Sequence, residues 1–212
     1  MLAARSVGTG IARRRGTHPR SAVPVAEVVG GVRLDHARGL KRDTIAHLGT
    51  LDFVAAKDNV VFLGPPGTGK THLAIGIAIR ACQAGHRTLF ATASEWVARL
   101  AEAHHGGRLQ QELVRLGRYP LLVVDEVGYI PFEPEAANLF FQLVSSRYER
   151  ASLIVTSNKP FGRWGEVFGD DVVAAAMIDR LVHHAEVIAL KGDSYRIKDR
   201  DLGRVPGSTT EE

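Results

Sequence analysis

Residues 64–71 read Gly-Pro-Pro-Gly-Thr-Gly-Lys-Thr, and no other stretch restricts this chain so strongly. They follow the pattern G-x-x-x-x-G-K-[ST], with a short apolar run at 60–63 before them and an apolar, alanine-rich helical stretch after them. In a strand–loop–helix unit of this kind the glycines let backbone amides converge on an anion, and the helix N-terminus adds its dipole. Gly64, Pro65, Pro66, Gly67, Thr68 and Gly69 therefore form a candidate phosphate cradle. Lys70 is placed to neutralise phosphate charge, and the Thr71 hydroxyl is placed to ligate Mg²⁺. The implied ligand is ATP with magnesium.

The surrounding pattern suits such a unit. Apolar runs rich in Val, Ile, Leu and Phe fall at residues 60–63, 88–91, 121–124, 153–156 and 186–190, each too short for a helix. Helical stretches separate them at 70–84, 94–103, 109–116, 134–150 and 171–184, and an amphipathic lead-in helix is expected within 40–56. Thr92 and Glu95 are spaced as a capping box at the start of one of these helices. Strands that do not alternate strictly and are separated by helices predict an α/β domain, a five-stranded parallel sheet sandwiched by helices with no sizeable C-terminal lid.

The run at 121–124 ends in Asp125-Glu126, and an acid at the carboxyl end of a parallel strand lies beside the ligand crevice of such a sheet. Asp125 is expected to hold magnesium through water and Glu126 to polarise the attacking water as general base. An ordinary strand-end capping pair is the competing reading. Because residues 88–91 form a strand between the loop strand and the acid strand in sequence, the additional-strand branch of P-loop ATPases is favoured over the kinase-like branch. The next strand ends at Thr156-Ser157-Asn158, which makes Asn158 the candidate γ-phosphate sensor, with helix capping by Ser157 or Asn158 as the alternative.

Composition bounds the rest. A chain of 212 residues that is 45% hydrophobic can bury one sizeable core, and no run of eighteen apolar residues offers a spanning helix. Cys82 is the single cysteine, which excludes an internal disulfide and fits a reducing cytoplasm. The net charge of +4 is uneven: residues 1–42 hold nine Lys/Arg against two Asp/Glu, so that segment carries +7 and the remainder −3. A basic arm of this kind suits contact with nucleic-acid phosphates, although a solubilising tail or an organellar transit segment has similar composition. Three regions are expected: a basic, largely disordered segment at 1–47, an ATPase core at 48–198 and a flexible tail at 199–212. The doublets His104-His105 and His183-His184 lack a cysteine or acidic spacing that would complete a zinc set, and they read as surface histidines.

Several segments together resemble one family. They are the loop extended to His72, Asp125-Glu126-Val-Gly-Tyr129, the run from Asn138 to Tyr148, Thr156-Ser-Asn158, Trp164-Gly-Glu-Val-Phe168, Ile178-Asp-Arg-Leu181 and Ser194-Tyr-Arg196. Over residues 48–198 the chain resembles the IstB family, AAA+ ATP-binding helpers of insertion-sequence transposition that are related to DnaC helicase loaders. The resemblance implies a nucleotide role for His72, an arginine finger at Arg180 reaching a neighbouring subunit, and a second, sensor-like arginine at Arg196. It also implies a homo-oligomer that assembles with ATP on double-stranded DNA and recruits or activates the transposase of the same insertion sequence. A replicative helicase loader and a nucleotide-gated DNA-binding module with negligible turnover are the rival expectations. The helical N-terminal domain usual in the family is expected to be absent or altered here.

Overall fold

The computed structural model describes residues 23–24 and 42–191. Among the described residues the six strands are β1 (Val23–Pro24), β2 (Asn59–Leu63), β3 (Thr88–Thr92), β4 (Leu121–Val127), β5 (Ser152–Ser157) and β6 (Ala185–Ala189). They form one sheet in the order β1-β3-β4-β5-β2-β6. The five longer strands are parallel, as expected, and β1 adds an antiparallel pair on the β3 edge within a stretch expected to lack structure. The intervening strand of the additional-strand branch is β5, which lies between the loop strand β2 and the acid strand β4, while β3 lies beyond β4.

Both faces of the sheet are covered. Helices α1 (Arg42–Thr50), α2 (Asp52–Ala56) and α3 (Lys70–Gln83) pack over Val60, Phe62, Val123 and Ile154. The opposite face carries α4 (Ala93–His105), α5 (Leu109–Gly117), α6 (Pro134–Arg147), α7 (Trp164–Phe168) and α8 (Asp171–Val182) over Val61, Leu122, Val124 and Val155. Successive strand residues point to opposite faces, so two cores explain why these strands read as continuous apolar runs. The capping box at α4 is formed: the Glu95 amide donates to the Thr92 hydroxyl at 3.2 Å, and the Thr92 amide donates to the Glu95 carboxylate at 2.8 Å.

Two local features depart from the expected pattern. The lead-in segment is two helices, because Leu51 adopts a left-handed conformation (φ 65°) that breaks the run and lets its side chain enter the core. The segment after β5 holds a single 3₁₀ turn (Phe161–Arg163) and α7, whose Trp164 and Phe168 join Phe132 and Phe140 in an aromatic cluster. Those five residues of α7 are too few to show a helical period.

Arg147, at the end of α6, is 2% exposed and ties three elements together. Its guanidinium donates to the carbonyls of Leu116 at 3.0 Å, Tyr119 at 2.8 Å and Ser152 at 2.9 Å. Burial lowers its pKa to about 9, which leaves it cationic at neutral pH. Arg147→Met keeps most of the volume but leaves those carbonyls without their donor, and should cost about 2–4 kcal/mol in urea unfolding. A loss below about 0.5 kcal/mol would assign Arg147 to packing alone.

Candidate functional site

The phosphate loop leaves β2 at Leu63 and enters α3 at Lys70. Its first residue touches the sheet edge: a Cβ at Gly64 would overlap the Leu190 carbonyl oxygen, so only glycine fits there. Leu190 is held in turn by its amide, which donates to the Leu63 carbonyl at 2.7 Å. Gly69 caps α3 with φ 91°, and the space around its Cβ position is open. The loop is tightened by the Thr68 hydroxyl, which donates to the Pro65 carbonyl at 2.9 Å. His72 is exposed on the first turn of α3.

Lys70 is 5% exposed, and its ammonium donates to the carbonyls of Gly64 at 2.6 Å and Pro65 at 2.8 Å. Burial lowers its pKa, and the nearby Asp125 carboxylate works in the opposite direction. The lysine is thus held against the loop that would receive a phosphate.

The two acids are separated by a β-bulge. Val124 pairs with Val155 and Val127 with Ser157, so Asp125 and Glu126 together oppose the single residue Thr156. Asp125 is 3% exposed, whereas Glu126 is exposed and adopts a left-handed conformation (φ 63°). The Thr156 hydroxyl donates to Asp125 Oδ1 at 2.5 Å and accepts the Glu126 amide at 3.0 Å. The Thr71 hydroxyl reaches the same Oδ1 at 3.0 Å from the other side. One bulge therefore fixes one carboxylate against the loop helix and turns the other outward.

Asn158 follows β5. Its Oδ1 is buried without a hydrogen-bond partner among the described residues. Gly128 (φ 92°) makes room for it, since a Cβ there would lie 3.1 Å from that oxygen and 2.9 Å from Lys159 Cγ. Ser157 closes a local turn with Lys159, accepting its amide at 3.1 Å and donating to its carbonyl at 3.0 Å. Neither residue caps a helix in this arrangement.

Lys70, Thr71, Asp125, Glu126 and Asn158 thus stand at the carboxyl ends of three adjacent strands, β2, β5 and β4. Arg180 is elsewhere. It lies in the last turn of α8, which leads into β6 where β6 pairs with the start of β2, at the edge opposite the phosphate loop. Its guanidinium sits 4.6 Å from the Phe141 ring centroid and donates to the Ala176 carbonyl at 3.0 Å. Arg196 lies outside the described residues.

Thr156 is the site residue whose part was not foreseen. Its position beside the acids depends on the pairing of β4 with β5 and on the bulge, and strand register is not visible in a single sequence. The donor set suits magnesium with a nucleotide: a hydroxyl and a carboxylate oxygen stand 3.0 Å apart at the lysine-bearing helix, with an unpartnered buried amide oxygen on the next strand.

This fold and site define a P-loop, ATP-binding protein of the AAA+ type. The family model described as IstB-like ATP binding protein matches residues 12–203, and the chain belongs to that family. It is 47% identical over 173 residues to the insertion sequence IS21 putative ATP-binding protein of Pseudomonas aeruginosa, covering 81% of this chain and 65% of the relative. It is also 47% identical over 158 residues to the IS5376 putative ATP-binding protein of Geobacillus stearothermophilus, covering 74% of this chain and 63% of the relative. The chain therefore spans less than two thirds of these curated relatives. Among solved structures, the DnaC helicase loader shares the fold with a TM-score of 0.58 at 22% identity, covering 76% of this chain and 97% of that one. The replication initiator DnaA bound to AMPPCP and single-stranded DNA gives 0.58 at 17% identity, covering 77% and 52%.

Lys70→Ala should lower affinity for a fluorescent ATP analogue about ten- to a hundredfold, the equivalent of one charge-assisted phosphate contact of roughly 1.5–3 kcal/mol. Thr156→Val deletes both hydroxyl contacts at the bulge while keeping the shape. It should lower any ATP turnover at least tenfold while binding of the same analogue changes less than threefold, estimates for a lost positioning contact of roughly 1.4 kcal/mol or more. Equal losses in binding and turnover would mean that Thr156 shapes the pocket rather than the acids.

Proposed function

We propose that this chain is an ATPase that binds double-stranded DNA, assembles there with further copies of itself when ATP is bound, and recruits or activates the transposase of its insertion sequence. The observation that carries the catalytic part is the bulge, which puts Asp125 and Glu126 in different environments although they are neighbours in sequence. A buried carboxylate hydrogen-bonded to two hydroxyls is suited to stay fixed in one orientation. An outward carboxylate on the same edge is suited to orient a water and accept its proton. The names of the relatives, which place them in insertion sequences, support the transposition setting.

The roles then follow from position. Lys70 exchanges its two loop carbonyls for phosphate oxygens, so binding replaces contacts that already exist rather than ordering a free side chain. Thr71 and Asp125 would hold magnesium, which supplies charge neutralisation on the phosphates when bound. Glu126 polarises the attacking water, and its backbone is held for that purpose by Thr156. Asn158 offers its amide to the terminal phosphate. Arg180, at the far edge of its own sheet, suits action on a neighbouring subunit's nucleotide, for which it must leave Phe141 and Ala176. The +7 segment at 1–42 supplies cations for DNA phosphates.

Phosphate release measured with and without double-stranded DNA tests this reading. Turnover should rise with DNA, and Glu126→Gln should bind ATP but hydrolyse it about a hundredfold more slowly. Lys70→Ala and Arg180→Ala subunits, each inactive alone, should regain turnover when mixed, since one supplies an intact finger and the other an intact pocket. DNA binding gated by ATP with no measurable turnover would instead favour a nucleotide-gated module. Stimulation by a replicative helicase rather than a transposase would favour a loader.

A further inference from the structure

The end of α6 and the junction between α8 and β6 meet at the edge of the sheet opposite the phosphate loop. Tyr148 leaves α6 in an extended conformation, and Glu149 follows with φ 57°, a left-handed turn. Two histidines face that turn across the junction. His183 Nδ1 and His184 Nε2 each lie 4.0 Å from Glu149 Oε1, and the three atoms all fall within 4.8 Å of one another. Sequence spacing could not reveal this set, because the acid lies 34 and 35 positions before the histidines.

We propose that His183, His184 and Glu149 form a site for a divalent transition-metal ion, with zinc as the natural occupant. The donor chemistry selects the ion class, since two imidazoles and one carboxylate suit zinc and its neighbours, whereas magnesium and calcium prefer oxygen alone. The dimensions are close. Zinc bonds of about 2.0–2.2 Å in tetrahedral geometry place ligand atoms roughly 3.4 Å apart, so contraction by about an ångström closes the set. The backbones of both histidines are already held: the His183 amide is bonded to the Asp179 carbonyl at 3.0 Å, and the His184 carbonyl accepts the Asn59 amide at 2.7 Å. All three side chains are half-exposed, at 52%, 54% and 57%, so a hydrated ion can reach them. Three protein ligands leave one position for water, the composition of an open rather than a closed zinc site.

One neighbour competes with the metal. The Tyr148 hydroxyl lies 2.6 Å from His183 Nδ1 and engages the nitrogen that zinc would take. Metal binding must therefore displace it. Asp179 and Arg180 also face this corner with opposite charges that are both felt at Tyr148, and together with Glu149 the negative groups outweigh the positive one there.

Zinc titration of the nucleotide-free full chain against a chromogenic chelator tests the site. Saturable binding of one ion per chain is expected, and Co²⁺ in its place should show the visible absorption of a four-coordinate ion with nitrogen ligands. His184→Ala and Glu149→Ala should each weaken binding at least tenfold. Tyr148→Phe should tighten it about fivefold, the equivalent of one ordinary hydrogen bond removed from competition. Replacing both His104 and His105 with alanine should change nothing. Thermal unfolding in the presence of chelator shows that each variant is folded, and Glu149→Gln or His184→Gln replaces any that is not. The proposal is overturned if no saturable binding appears, if binding survives loss of both Glu149 and His184, or if Tyr148→Phe leaves affinity unchanged.

Discussion

Thr156 opposite the pair Asp125-Glu126 is the contact on which the geometry of the site depends. A regular β4 would send two successive side chains to opposite faces of the sheet, both into apolar cores where a carboxylate is costly. Inserting one extra residue removes that conflict. The left-handed turn at Glu126 costs on the order of 1–2 kcal/mol, and the threonine hydroxyl offsets it by satisfying both the displaced amide and the buried carboxylate. Strain and its compensation thus lie within a single hydroxyl's reach of the chemistry.

The sheet makes this possible by burying both faces. Parallel strands between two apolar layers leave only their ends available for polar groups, and the carboxyl ends collect the loop, the acids and Asn158. The opposite end is held differently. There Arg147 gathers carbonyls from α5, the following turn and β5, while Asn59 bonds the Leu181 carbonyl at 3.0 Å and accepts the Leu153 amide at 2.9 Å. Buried polar side chains at that edge satisfy the backbone where strands begin, so the variable chemistry stays at the other.

Much of this was legible before any coordinates. The phosphate loop, the acid pair and the alternation of strands and helices each have a local cause, in turn-forming glycines or in apolar periodicity, and each was found within a few residues of its observed place. What escaped was non-local. Leu51 breaks the lead-in helix because its side chain is drawn into the core, a tertiary effect that overrides helical periodicity. The bulge depends on register with a strand thirty residues away, and the three carbonyls that Arg147 gathers come from segments up to 31 positions away from it. The site residues and the separate roles expected of the two acids were legible by type and position, but the different surroundings of those acids are set by the sheet.

The contact between Gly64 and the carbonyl of Leu190 has a consequence for how the molecule comes into being. β2, which carries the phosphate loop, is paired on one side with β5 and on the other with β6, so its neighbours are synthesised about ninety and one hundred and twenty residues after it. A nascent chain emerging from the ribosome exposes the loop early, yet lacks the strand and the carbonyl that seat it until almost all of the described fold has been translated. Nucleotide then meets a finished pocket only after β6 has been made. Chains interrupted before residue 190 carry the motif in full and lack that seat.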